Sequence, residues 1–505
     1  MMQIEQLTGA VAVGRRRLFV VVACGAIVAL AISVRATPAA AQVPSPMVEG
    51  PITGGNGTPF VAATTFDLAQ VGYVQEEYFI TGTATAYTSA STLTSDGAWT
   101  VTPASTAAYK TRILVHRPVK RSKFKGTVVV EWLNVSAGLD AAPDWISAHT
   151  ELTRDGFAWV GVSAQFVGVE GGASSAGLPG SGLKTADPVR YGPLSHPGDS
   201  FSYDIFSQAG QAVRQPAGLS PLGDLKVKTV LGAGESQSAF RLVTYINGID
   251  PLAQIYDGFL VHSRGGGGAP LSQVPQPAIS VPTPAFIRND VRVPVLTFQT
   301  ETDLVSLGFL ASRQADSDRF RLWEVAGTAH YDAYGLTVGM TDLGNSSSAA
   351  ELIVTSAPIA GITCASPINS GPQHFVLNAA FAALNKWVTK RKLPPQAPRL
   401  DVVAGSPPTI TRDANGNALG GIRTPSVDVP IATLSGLGQT GTAFCSLFGT
   451  TVPFDNATLA ALYPKHSKYV SAVAKATNSA VKAGFLLGPD AKLIKASAKA
   501  SAIGN

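Results

Sequence analysis

Residues 227–247 constrain the fold of this chain more than any other stretch. Val227-Lys-Thr-Val-Leu231 has the apolar, β-branched texture of a buried strand. It runs through Gly232-Ala-Gly-Glu-Ser236-Gln-Ser-Ala239 straight into Gln237–Asn247, which has helical spacing. A strand that becomes a helix within so few residues must bend sharply. A glycine two residues before Ser236 suits a bend with no room for a Cβ. Such a bend thrusts the serine Oγ beyond the end of the strand and aims the Gln237 N–H into the same space. The helix start adds positive potential there.

The rest of the chain supplies a setting for that bend. Tyr78–Tyr87, Tyr109–His116, Gly126–Leu133, Ala158–Ser163, Gly258–His262, Val293–Gln299 and Phe320–Val325 read as strands. Helical stretches at Asp144–Arg154, Tyr203–Arg214 and Phe375–Lys390 alternate with them, and 304–314 is helix-compatible. Short apolar strands alternating with helices predict an α/β fold, a mostly parallel sheet with helices on both faces. Residues 42–62, 164–200, 264–290 and 331–373 are rich in Gly, Ser and Pro and read as lead-in or loops. The Gly265–Gly268 run reads as flexible loop. Pro394-Pro395 closes the series, so 42–395 reads as one domain and 396–505 as an extension of short strands and helices packed on it. In that extension Asp413-Ala-Asn-Gly416 signals a hairpin turn.

Residues 1–41 read as a separate export segment. Arg15-Arg16-Arg17 precedes an uncharged apolar run, Leu18–Val34, and a small-residue end with Ala39 and Ala41 in an A-x-A pattern. The mature protein is expected to be exported, periplasmic or extracellular, with no stable membrane span. The chain is 45% hydrophobic and only 14% charged, which excludes a disordered chain. Its net charge is +5, but four arginines against one glutamate place three of those charges within 1–41. The small remainder gives no footing for a nucleic-acid partner. The seven lysines between Lys465 and Lys499 read as a solvated helix face.

A serine on a sharp bend becomes a nucleophile when a base takes its proton and an acid orients the base. The candidates come later in the chain. Thr300-Glu301-Thr302-Asp303 follows the strand ending at Gln299, and Ala326-Gly-Thr-Ala-His330 follows the next. Both sit where strands end, the edge at which open α/β sheets bind ligands. Ser236 is thus the candidate nucleophile and His330 the candidate base. Asp303 is the candidate acid, with Glu301 as the alternative on the same loop. Gln237 N–H, with a backbone N–H near Asn134, would form the oxyanion hole. Ser238 stands where the G-x-S-x-G pattern has glycine and reads as a packed residue. The remaining histidines read as structural, with His262 a candidate pocket residue at the same edge.

The runs GTVVVEWLNVSAG, GAGESQSAF, QTETD and AGTAH resemble the α/β-hydrolase superfamily, in particular the exported "alpha/beta hydrolase domain" proteins, over roughly residues 48–500. The resemblance implies an eight-stranded α/β-hydrolase sheet, Ser236 as nucleophile, His330 as base and Asp303 at the usual acid position. It implies a serine hydrolase acting on small or polymeric carboxylic esters. An amidase or peptidase with the same triad, or a binding module on the same fold, remains the alternative. No metal or cofactor motif occurs, so neither is expected. The loops 164–200, 264–290 and 331–373 are expected at the pocket edge. From their number and compartment alone, Cys364 and Cys445 are expected to pair and tie the tail to the body.

Overall fold

The computed structural model describes residues 43–174, 180–442 and 444–505, so the expected export segment lies outside the described residues. Among them, nine strands form one sheet in the order β1-β2-β3-β5-β4-β6-β7-β8-β9. They are β1 (Met47–Glu49), β2 (Tyr73–Thr88), β3 (Thr102–Pro118), β4 (Thr127–Trp132), β5 (Ala158–Val162), β6 (Thr229–Glu235), β7 (Gly258–His262), β8 (Val295–Gln299) and β9 (Phe320–Glu324). The pairs from β5 to β9 are parallel, and β1, β2 and β3 add antiparallel pairs at one edge. The sheet thus has nine strands rather than eight. The extra one is the three-residue β1, in a stretch too short and too rich in Pro and Gly to read as a strand.

The central strands are buried on both faces, which is why they read as continuous apolar runs. Val128, Val130 and Trp132 of β4 pack with Ile205, Phe206 and Leu242 on one side. Val129 packs with Trp145, Leu152, Val376 and Leu384 on the other. Two helices, Ser202–Arg214 and Gln237–Thr244, therefore cover one face. Pro143–Arg154 and Gln373–Lys390 cover the opposite one. Each fully buried Val, Leu or Phe side chain contributes about 1.5–3 kcal/mol, so the two cores dominate the stability of the scaffold.

A buried charge cluster fixes the loop that leaves β4. Arg112 on β3 pairs with Asp140 at 2.6 Å and with Glu77 on β2 at 3.3 Å. Arg190 also meets Glu77, at 2.5 Å. Breaking one partner out of such a buried set costs about 3–5 kcal/mol. Beside Asp140, Ala141 exchanges both backbone hydrogen bonds with Asn134, at 2.8 Å each.

Residues 396–505 pack against the sheet's β9 side. Val325 bridges to Ile422, and Phe485 lies edge-on to Trp323. The Asp413–Gly416 turn is formed, with Gly416 N–H donating to Asp413 O. Helices His466–Ala483 and Gly488–Ala500 complete the segment. Cys364 and Cys445 form a disulfide. The Gly265–Gly268 run is packed rather than loose: a Cβ at Gly265 would come 2.5 Å from Phe240 and 2.7 Å from Leu307 O. Among the described residues no helix is long and apolar enough to cross a membrane.

Candidate active site

The bend after β6 places Ser236 at φ 57° and ψ −120°, a left-handed conformation that costs a non-glycine residue about 1–3 kcal/mol. The surroundings hold it. Ser236 N–H donates to His262 O on β7 at 3.0 Å, and Phe240 N–H donates to Ser236 O at 3.1 Å. Gly234 suits the close approach, since a Cβ there would crowd the Ser238 Cβ at 3.1 Å and Leu242 at 3.2 Å. Ser238 itself is fully buried, and its hydroxyl has no hydrogen-bond partner among the described residues. Its small side chain packs beside Gly234 inside the bend.

Two loops bring their side chains to that hydroxyl. His330 follows β9, and its Nε2 lies 2.7 Å from Ser236 Oγ. Its Nδ1 lies 2.6 Å from Asp303 Oδ1. Asp303 sits in the short helix Glu301–Val305 after β8, and its other oxygen accepts the Thr300 N–H at 2.7 Å in a capping box. One carboxylate thus caps the helix with one oxygen and faces the imidazole with the other. Thr302 Oγ1 accepts the His330 N–H at 3.1 Å.

Glu301, the alternative acid, is turned away from His330. Its carboxylate accepts the Gly327 N–H at 2.7 Å and the Gly436 N–H at 3.1 Å, and pairs with Arg412 at 2.9 Å. Two residues apart on a helix means roughly 200° of rotation, so only one of the two carboxylates can face the histidine. Asn134 also departs from expectation. Its N–H already donates to Ala141 O, so it is not open to a substrate oxygen. Its side chain instead ties the loop to the bend, donating to Glu235 O at 3.1 Å and Glu235 Oε2 at 3.2 Å and accepting from the Ser136 N–H. Gln237 is the first residue of the helix, where N–H groups have no intrahelical acceptor. His262 is buried behind the bend rather than in the pocket. It faces Asp144 at 2.8 Å and Gln373 at 3.1 Å.

Glu235 is the residue that sequence reasoning passed over. Its Oε1 lies 3.3 Å from His330 Nε2, so a second carboxylate meets the base beside the serine. Burial pushes Glu235 up to about 7, against the pull of the His330 and His262 rings. Burial also opposes charge on His330, but Asp303 and then Glu235 outweigh it and raise its pKa above the ordinary histidine value. A general base must be neutral, so kcat/KM is expected to fall on the acid side at a pH above the usual histidine range. Glu235→Gln removes a charge that favours imidazolium and should move that acid limb to lower pH. The pH–rate profile of kcat/KM checks this, and an unmoved limb would remove Glu235 from the electrostatics of the site. The same substitution has a stability signature. A carboxyl raised from 4.5 to about 7 in the fold favours the folded state below 4.5 and loses that contribution as pH rises through 7. The Tm of Glu235→Gln relative to the parent should therefore be higher at pH 8 than at pH 4.

The Ser236–His330 pair opens into a pocket of about 230 Å³. Ile146, Leu336, Met340, Ile362, Phe444 and Phe448 are among its walls. The 331–373 segment contributes as expected. Among the described residues, 164–200 and 264–290 contribute none of the lining, whereas the C-terminal extension, not expected there, contributes Phe444, Leu447 and Phe448.

A family model described as "Alpha/beta hydrolase domain" matches residues 48–496. No curated protein matches. Among solved structures, the chain is similar to a fungal esterase from Rhizomucor miehei, at 11% identity over 63% of this chain and 85% of that one, TM-score 0.28. It is similar to acetyl xylan esterase 1 from Thermoanaerobacterium, at 11% identity over 56% and 81%, TM-score 0.29. A serine hydrolase from Xanthomonas campestris matches at 12% identity over 48% and 83%, TM-score 0.25.

Proposed function

The chain belongs to the alpha/beta hydrolase domain family, and on that premise we propose that it is an exported serine hydrolase that cleaves carboxylic esters. The observation that carries this reading is the unbroken line from Ser236 Oγ through His330 to Asp303, at 2.7 and 2.6 Å, at the mouth of a pocket. Ser236 Oγ attacks the ester carbonyl as His330 Nε2 takes its proton. Asp303 holds the imidazole in the tautomer with Nδ1–H and stabilises the imidazolium. The Gln237 N–H, the first of the helix, faces the oxyanion. His330 then gives its proton to the leaving alkoxide, and the alcohol departs from the acyl-enzyme. Water repeats the sequence, with His330 again as base, and releases the carboxylic acid. The basic and apolar segment 1–41 supports export, and the disulfide fits an oxidising compartment.

The test is covalent labelling of the exported protein with a fluorophosphonate probe, followed by peptide mapping and turnover assays on nitrophenyl esters and their amide analogues. The expected result is a single adduct on Ser236 and faster cleavage of ester than amide. An unlabelled protein inert toward every ester would sink the reading. Preferential cleavage of the amides would replace the esterase with an amidase.

A further inference from the structure

We propose that the pocket beside Ser236 binds an uncharged, apolar acyl group, and that the C-terminal extension builds its outer wall, held there by the Cys364–Cys445 crosslink. This names the substrate class of the site and rests on the reading of Ser236 as nucleophile.

The pocket has two unlike ends. Asn134, Ser136, Glu235, Ser236 and His330 gather at one. Beyond them the lining is aliphatic and aromatic, and no lysine or arginine lines it among the described residues. An acyl group bearing a carboxylate or phosphate would lose its water there and gain no partner. An aliphatic chain would be favoured by every buried methylene. Ile359 is 41% exposed and marks the rim.

The outer wall is a small core of its own. Phe448, Cys445, Cys364, Ile368 and Ala333 are buried together, with Ile362 and Phe444 packed against them. Its two halves come from distant parts of the chain, since the bridged cysteines are 81 residues apart. Cys364 lies two residues from Ile362, and Cys445 directly follows Phe444. Backbone bonds reinforce the junction: Ala365 N–H donates to Thr440 O and Asn369 N–H to Phe448 O, both at 2.8 Å. Cys364 lies outside the named helices and strands, and Cys445 opens only the short 3-10 turn Cys445–Leu447. The crosslink therefore secures wall residues that neither of the two main cores holds.

The experiment measures kcat/KM for nitrophenyl acetate, butyrate and hexanoate. The parent protein should gain about two- to fourfold per added methylene. The double variant Cys364→Ala/Cys445→Ala should lose most of the hexanoate-to-acetate ratio, by about tenfold. Leu336→Trp, which fills the pocket and keeps both cysteines, should lower the same ratio and serves if the double variant does not fold. Cleavage of acetate with no gain along the series, or ratios unchanged in the variants, overturns this inference and leaves the serine hydrolase standing. Failure to cleave any ester removes both.

Discussion

Ser236→Ala is expected to lower kcat for ester cleavage by about 10⁶-fold, the scale seen when the nucleophile is removed from a serine triad. The effect is confined to one atom. The Oγ at 2.7 Å from His330 Nε2 is lost. The Gln237 N–H, the pocket and the His330–Asp303 pair all remain, so residual turnover should stay about 10³–10⁴-fold above the reaction in water. The backbone bonds that hold the bend, Ser236 N–H to His262 O and Phe240 N–H to Ser236 O, do not use the hydroxyl. Thermal unfolding should therefore match the parent, and loss of activity cannot be put down to loss of fold. Steady-state kinetics and calorimetry on the same sample give both numbers. Activity within tenfold of the parent would leave Ser236 without a catalytic role.

Asp303→Asn should lower kcat by about 10⁴-fold, whereas Glu301→Gln should leave kcat within a few-fold. Asp303 accepts from His330 Nδ1 at 2.6 Å. An asparagine can turn its amide N–H toward that nitrogen and stabilise the tautomer protonated at Nε2, which cannot receive the serine proton. Glu301 meets Arg412, Gly327 and Gly436 instead. Its amide replacement keeps one acceptor and leaves the partly exposed Arg412 without its charge partner, at a cost of about 1–3 kcal/mol in stability. Paired rate and urea-unfolding measurements separate the two residues. A large fall in kcat for Glu301→Gln with Asp303→Asn unaffected would reverse the assignment.

The contrast between these two carboxylates marks where reading the sequence ends. Ser236 was legible because a strand, a glycine two residues earlier and a helix leave the backbone little choice. His330 was legible from its place after the last strand of the parallel series. The choice between residues 301 and 303 depends on the phase of a short helix, and only Thr300's capping box sets that phase. Glu235 escaped notice because its meeting with His330, at 3.3 Å, depends on a loop 95 residues further along the chain. The N–H of Asn134 was misjudged because the loop doubles back onto Ala141, a pairing that no local pattern announces. The acyl wall was hidden for a similar reason. Phe444 and Ile362 join one small core because a crosslink spanning 81 residues and backbone bonds bring their segments together, and His262 turns inward because Asp144 and Gln373 await it there.

The clasp between Glu301 and the Arg412–Gly436 stretch bears on the order of synthesis. A ribosome that has just finished the histidine loop has made every atom that does the chemistry, yet the acid's own turn still lacks its late partners. The turn that carries Asp303 therefore completes its hydrogen bonds only after residues 412–436 have been made.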